Sequence, residues 1–161
     1  GHTSSAGYCL IRSAKRGNMR LITVVAGSDT ANNSFADTQR LLEYGFRFYA
    51  TQKYFDANKE YTTAKIWGGK SDNISLGVVN DISITLPRTS FKNVKVNYNV
   101  RNNLQAPIKI GDKLGTLEII SNDKIVSTSD LIALENVDSK GFFGRLWSKF
   151  VLWVISLFGL D

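Results

Sequence analysis

The first fifty residues hold two strand-forming runs and one helical run, and three such elements cannot bury their apolar surface among themselves. Residues 7–15, GYCLIRSAK, and 19–26, MRLITVVA, are rich in strand formers, and KRGN between them supplies a glycine for a tight reversal, so the pair reads as a hairpin. A polar stretch, GSDTANNS, follows, with Ser34 as the expected N-cap of a helix through FADTQRLLEYGFRFYATQKYF. Apolar residues at 35, 42, 46 and 49 give that helix one greasy face. Gly45 lets a neighbour approach its backbone, at about 1 kcal/mol in helix propensity relative to Ala. A hairpin plus one helix still leaves a sheet edge and a helix stripe uncovered. Upstream cover is therefore expected, and the opening GHTSSAGYC, which has no initiator Met, reads as the interior of a strand.

From about residue 56 the texture changes to short strands at regular spacing: YTTAKIWG, ISLGVV, ISITLP, VKVNYNV, PIKIGDKLGTLEII and KIVSTSDLIAL. GGKSDN, VND, PRTSFKN and RNNLQA between them carry residues that reverse a chain. The expectation is a small all-β sandwich or barrel over residues 56–137, joined to the first segment, residues 1–52, through TQKYFDANK.

Charge and composition exclude several function classes. The net charge is +6, but residues 1–50 carry six Lys/Arg against three acids, 51–137 eleven against nine, and 138–161 three against two. No basic block with interleaved aromatics occurs, so nucleic acid is not an expected partner. One cysteine, Cys9, cannot close a disulfide within the chain, and one histidine, His2, leaves no Cys/His cluster for zinc. Cys9 falls at an alternating position of the first strand, where a small buried hydrophobe is the expectation. No metal or organic cofactor is expected.

Residues 140–161 depart again. Phe142, Phe143, Leu146, Trp147, Phe150, Trp153, Val154, Leu157 and Phe158 make a broad apolar arc, while Arg145 and Lys149 share a narrow basic face. The uncharged stretch 150–160 is eleven residues, about 16 Å of helix against a hydrocarbon core of about 30 Å, too short to span. Its aromatic content and terminal position also argue against a core helix. An in-plane helix at a membrane surface fits better, with Trp147 and Trp153 at the headgroup level. Six large side chains buried there would gain roughly 9–18 kcal/mol before ordering costs.

GHTSSAGY, the hairpin with MRLITVV, the helix with LLEYGFRFY, the β-rich segment and the amphipathic C-terminus occur together in one known arrangement. The chain resembles the C-terminal part of the penicillin-binding protein 5 family, the low-molecular-mass serine D-Ala-D-Ala carboxypeptidases, over essentially all of its length. The resemblance implies an α+β remnant of a serine transpeptidase-like domain, a β-sandwich domain and a C-terminal amphipathic anchor. That family's catalytic motifs are S-x-x-K, S-x-N and K-T-G, the last on a strand lining the active-site cleft. By resemblance Gly1 is the Gly of K-T-G, the backbone N–H of His2 is one oxyanion-hole donor, and Thr3 lines the cleft; fraying of a chain terminus competes with these roles.

No S-x-x-K with a downstream S-x-N is present, nor a G-x-S-x-G, so the chain by itself is expected to lack a nucleophile. The family's partners, peptidoglycan stem peptides and β-lactams, would then be met through the catalytic segment absent here. The resemblance implies the bacterial periplasm, peripheral on the inner membrane. A different class stays open, a non-catalytic membrane-bound β-sandwich adaptor for a protein or glycan partner, and the coding sequence upstream of Gly1 separates the two.

Overall fold

A computed structural model describes residues 1–141; the expected anchor helix lies outside the described residues, as do its side chains from Phe142 onward. In chain order the elements are β1 (His2–Thr3), β2 (Gly7–Arg16), β3 (Met19–Ser28), α1 (Ala31–Phe48), β4 (Tyr49–Phe55), β5 (Thr62–Trp67), β6 (Asn73–Gly77), β7 (Ile82–Pro87), a 3-10 helix (Arg88–Asn93), β8 (Val94–Val100), β9 (Leu104–Gln105), β10 (Lys113–Ser121) and β11 (Lys124–Ala133). By proximity they form two compact units, one of Gly1–Tyr54, Ile82–Lys95 and Ile120–Val126, the other of Phe55–Asp81, Val96–Ile119 and the chain from Ser127.

In the first unit β1, β2 and β3 form an antiparallel sheet in that order. The β2–β3 hairpin matches the sequence expectation, with Arg16 opposite Met19 and Gly17 at φ 56 in the reversal. Between Tyr8↔Ser28 and Leu10↔Val25 the register slips, because β3 spends three residues where β2 spends two. Gly27, at φ 75, absorbs the extra residue as a bulge. One face of the sheet packs on α1: Met19, Leu42 and Phe46 form a small core flanked by Ala14 and Leu21. A Cβ on Gly45 would lie 2.4 Å from Leu21 Cδ1, so the close approach expected at this glycine is made by a β3 side chain.

Helix α1 starts and ends differently from the sequence expectation. Its N-cap is Thr30, whose side chain accepts from the Asn33 N–H at 3.1 Å; Ser34 lies inside the first turn and donates to the Ala31 carbonyl at 2.8 Å. Leu42 and Phe46 are buried as expected, but Ser34 and Thr38 complete the buried face in place of positions 35 and 49. Two small hydroxyl residues, their Oγ atoms satisfied by carbonyls of their own helix, let α1 lie close to the sheet, while Phe35 stays half-exposed. The helix stops at Phe48, where Arg88 donates to the carbonyls of Phe46 and Arg47 at 3.1 and 3.0 Å and so satisfies two open acceptors of the last turn. Tyr49–Phe55, expected as helix and linker, is instead strand β4, paired with β7; the hydroxyls of Thr51 and Thr85 meet across them at 2.7 Å.

The remaining strands join one six-stranded sheet in the order β8-β10-β11-β6-β5-β9. All-β texture is thus present from residue 49, earlier than the change at 56 suggests. Strand β9 pairs parallel to β5 through Ile66↔Leu104 and Trp67↔Gln105. The second unit's core gathers Ile66, Ile74, Leu76, Leu104, Ile108, Leu114, Ala133 and Val137, the inward residues of alternating strands. Residues 137–140 lie along the Gly68–Asp72 loop: Lys70 N–H donates to the Asp138 carbonyl at 2.8 Å, Lys140 N–H to the Gly68 carbonyl at 2.7 Å, and Lys140 Nζ to Asp72 at 2.9 Å. The Lys140 hydrogen bond, then its charge, hold the Asp72 carboxyl below the usual carboxylate range.

The β1–β2 turn rests on Gly7. Its φ is 68, and a Cβ there would sit 2.8 Å from the Ser28 carbonyl oxygen, so both conformation and space demand glycine. Gly7→Ala should destabilise the first unit by about 1–3 kcal/mol and expose the Cys9 amide to exchange. Hydrogen exchange by NMR reads it; unchanged protection of Cys9 would contradict this account of the turn.

Candidate functional site

At the chain's first residues the backbone is tied down. The Gly1 ammonium donates to the Cys9 carbonyl at 2.7 Å, and Cys9 N–H donates back to the Gly1 carbonyl at 2.7 Å. His2 pairs with Tyr8 and Thr3 with Gly7. In an antiparallel ladder the pair next to a doubly bonded one exchanges no hydrogen bonds, so His2 turns its N–H and C=O away from β2. Strand β1 is the end strand of its sheet, and these groups therefore face an open edge. Among the described residues the His2 N–H has no backbone acceptor.

The side chains around it fix this edge. The His2 and Tyr8 rings stack with centroids 4.0 Å apart. Thr3 Oγ1 accepts from the Ala6 N–H at 3.1 Å, so this hydroxyl holds the turn that returns β1 to β2. His2 and Thr3 thus form the short strand β1, with Gly1 immediately before it. A concavity of about 410 Å3 opens beside them, lined by Gly1, His2, Tyr8, Cys9, Leu10, Ala31, Ser34 and Phe35. Cys9 is half-buried and free.

The free Cys9 thiol in this concavity donates to the Ala6 carbonyl at 3.9 Å. The Ser34 hydroxyl is committed to the Ala31 carbonyl, and no Lys or carboxylate lines the space. What the strand offers is one outward N–H held by a rigid ladder, the kind of donor that stabilises a developing oxyanion. Among the described residues no group of three or more His, Cys, Asp or Glu side chains is placed to hold a metal ion. No helix among them is long and apolar enough to cross a membrane.

One tetrad that the sequence reading did not single out, Ser121-Asn122-Asp123-Lys124, has the S-x-x-K spacing. It forms the β10–β11 turn, with Asn122 at φ 50 and Asp123 at φ 59. Ser121 is buried and its Oγ donates to the Ser90 carbonyl at 3.2 Å. That hydroxyl anchors the turn to the 3-10 helix and has no base beside it, so the tetrad is structural.

Two further features mark the hairpin. Its face away from α1 carries Ile11, Ile22 and Val24, exposed to 70%, 67% and 65%, with Ile11 directly opposite Val24. On the face toward α1, Arg12 stacks over Phe35 at 4.3 Å, and its Nη1 is buried without a hydrogen-bond partner among the described residues.

Comparison with known proteins assigns this arrangement. The family described as penicillin-binding protein 5, C-terminal domain, matches residues 49–139. The chain is 39% identical to the D-alanyl-D-alanine carboxypeptidase DacC of Escherichia coli K12, over 98% of its own length and 41% of the relative's. To DacA of the same organism it is 36% identical, over 91% and 36%. The crystal structure of penicillin-binding protein 5 from Haemophilus influenzae superposes with a TM-score of 0.77 at 34% identity, covering 86% of this chain and 41% of that one. The chain therefore spans well under half the length of these relatives. With more than half of its own residues matched by that domain, the chain belongs to the penicillin-binding protein 5 family.

Proposed function

We propose that this chain is the C-terminal part of a serine-type D-Ala-D-Ala carboxypeptidase of peptidoglycan maturation and that it is inactive by itself. The observation that carries the reading is the outward backbone N–H of His2 on an open edge strand, next to Gly1 and Thr3 in a G-H-T whose glycine the resemblance aligns with the last residue of K-T-G. In the relatives' reaction class a serine attacks the carbonyl between two D-alanines, the terminal D-alanine leaves, and water clears the acyl-enzyme. The His2 N–H serves as one of two oxyanion donors; the nucleophile's own N–H is the second and comes from a segment outside these 161 residues. Loss of one such donor typically costs about 10²–10³ in rate, so the edge strand works only beside that segment.

Two features support complementation. Ile11, Ile22 and Val24 leave a sheet face in water that the hairpin and α1 cannot cover, and both edges of the three-stranded sheet end in unpaired strands. The orphaned Arg12 Nη1 asks for an acceptor that an upstream segment supplies. β-Lactams are trapped at the acyl stage by the same serine. Residues 56–137 serve as a β-sandwich stalk, and residues 140–161 lie in the periplasmic face of the inner membrane as an amphipathic anchor, with Phe142, Trp147, Phe150 and Trp153 in the lipid boundary.

Mixed with a polypeptide carrying S-x-x-K, S-x-N and K-T, the chain should restore D-alanine release from a pentapeptide, and a fluorescent penicillin should label the added polypeptide. The chain alone should do neither. Release of D-alanine by the purified 161-residue chain, or an associated pair that stays inactive, would overturn the reading. Deletion of 141–161 should abolish co-sedimentation with anionic liposomes; co-sedimentation unchanged by the deletion removes the anchor.

A further inference from the structure

Trp67 is 54% exposed, the one tryptophan among the described residues and an aromatic plate on a β-rich region whose other well-exposed apolar side chains, such as Val79, Ile110 and Ile125, are aliphatic. It ends β5, where Ala64 and Ile66 face the core while Thr63, Lys65 and Trp67 form the outer row. Its backbone is fixed, since the Trp67 carbonyl accepts from the Ala106 N–H at 3.0 Å and Trp67 pairs with Gln105 of β9. Lys65 Nζ lies 4.3 Å from the centre of its ring, which braces the indole and places a positive charge beside it.

Next to this plate is a hollow of about 240 Å3, lined by Thr63, Lys65, Trp67 and the β8–β9 loop residues Arg101, Asn102 and Asn103. Asn103, at φ 56, turns that loop sharply. Among the described residues none of the Arg101, Asn102 and Asn103 side chains makes a hydrogen bond within the protein, so the guanidinium and amide groups of these lining residues keep their donors and acceptors for a ligand. Drug-sized ligands occupy pockets of about 300–1,000 Å3, and this smaller, open one suits a single ring.

The geometry points to a saccharide subsite in which Trp67 stacks on one pyranose ring of an N-acetylated glycan strand. A pyranose has an apolar C–H face and a rim of hydroxyl and acetamido groups. The indole meets the first. Asn102 and Asn103 can both donate and accept at the second, and Arg101 and Lys65 add only donors. A lipid contact would need a broader apolar patch than one indole, and a peptide strand would need an open backbone ladder, which β9 occupies at Trp67. This inference goes beyond the carboxypeptidase reading, because sugar binding needs neither the nucleophile nor D-alanine release.

The test is NMR titration of the 161-residue chain with the β-1,4-linked N-acetylglucosamine tetramer, following the Trp67 indole N–H, which is identified through Trp67→Phe. Saturable shifts at millimolar sugar are expected, with affinity falling about tenfold or more in Trp67→Ala and within about threefold of the parent in Trp67→Tyr. Asn102→Ala should weaken binding severalfold while leaving the spectrum of the core unchanged, and it reads the same subsite if Trp67→Ala fails to fold. No saturable shift at Trp67, equal affinity in Trp67→Ala or, should that variant not fold, in Asn102→Ala, or a response to a D-Ala-D-Ala peptide without one to the tetramer would overturn the proposal. Sugar titration and complementation read different groups, so failure here leaves the complementation result standing, and failure of complementation leaves this one standing.

Discussion

The reciprocal hydrogen bonds between Gly1 and Cys9 set the geometry of the first unit's free sheet edge. With that pair closed, the ladder alternation leaves His2 no choice but to present its N–H at the free edge. Had the register been shifted by one residue, Gly1 would face outward and His2 would spend its N–H on β2. The three-residue return Ser4–Ala6, held by Thr3 Oγ1 and finished by Gly7, keeps the shift from happening. A β-bulge at Gly27 then lets β3 follow the bent end of β2. The Thr3 hydroxyl and the His2–Tyr8 ring contact add to these backbone bonds in holding the edge in place.

Beyond that edge, the first unit is finished on one side only. Helix α1 covers the face bearing Ala14, Met19 and Leu21, while the opposite face keeps three large aliphatic residues in water. Burying Ile11, Ile22 and Val24 would stabilise by roughly 1.5–3 kcal/mol each, a sizeable part of the stability of a small domain. The same sheet ends in unpaired strands at both margins. The family match lies on the β-rich residues 49–139, and the chain spans well under half the length of the relatives.

The hairpin and the glycine contact of α1 were legible because each has a local cause: strand-forming runs around Gly17, and one position where a Cβ would strike Leu21. The helix boundaries were not. Thr30 outcompetes Ser34 as cap because its side chain reaches the Asn33 N–H, and the helix ends at Phe48 because a residue forty positions later, Arg88, takes its last carbonyls. Such a partner leaves no trace in the local pattern. The buried face was misread for a related reason: Ser34 and Thr38 count as polar in a periodicity, yet they bury well once their hydroxyls bond back to the helix. For the site, the motif pointed to His2, but only the register shows which way its N–H faces. The Trp67 hollow escaped the sequence because its lining comes from β5 and from a loop more than thirty residues further on.

The most direct measurement replaces the His2 amide with an ester, by joining Gly1 through an ester bond to the α-hydroxy analogue of histidine, and assays D-alanine release in the complemented enzyme. The ester deletes an N–H that β1 does not use in pairing with β2; it also weakens the Gly1 carbonyl that accepts from the Cys9 N–H, so hydrogen exchange at Cys9 checks that the strand stays in place. The account predicts a drop of about 10²–10³ in turnover with penicillin binding to the pair retained before acylation. Turnover within a few-fold of the amide form would show that the outward N–H of His2 takes no part in the reaction.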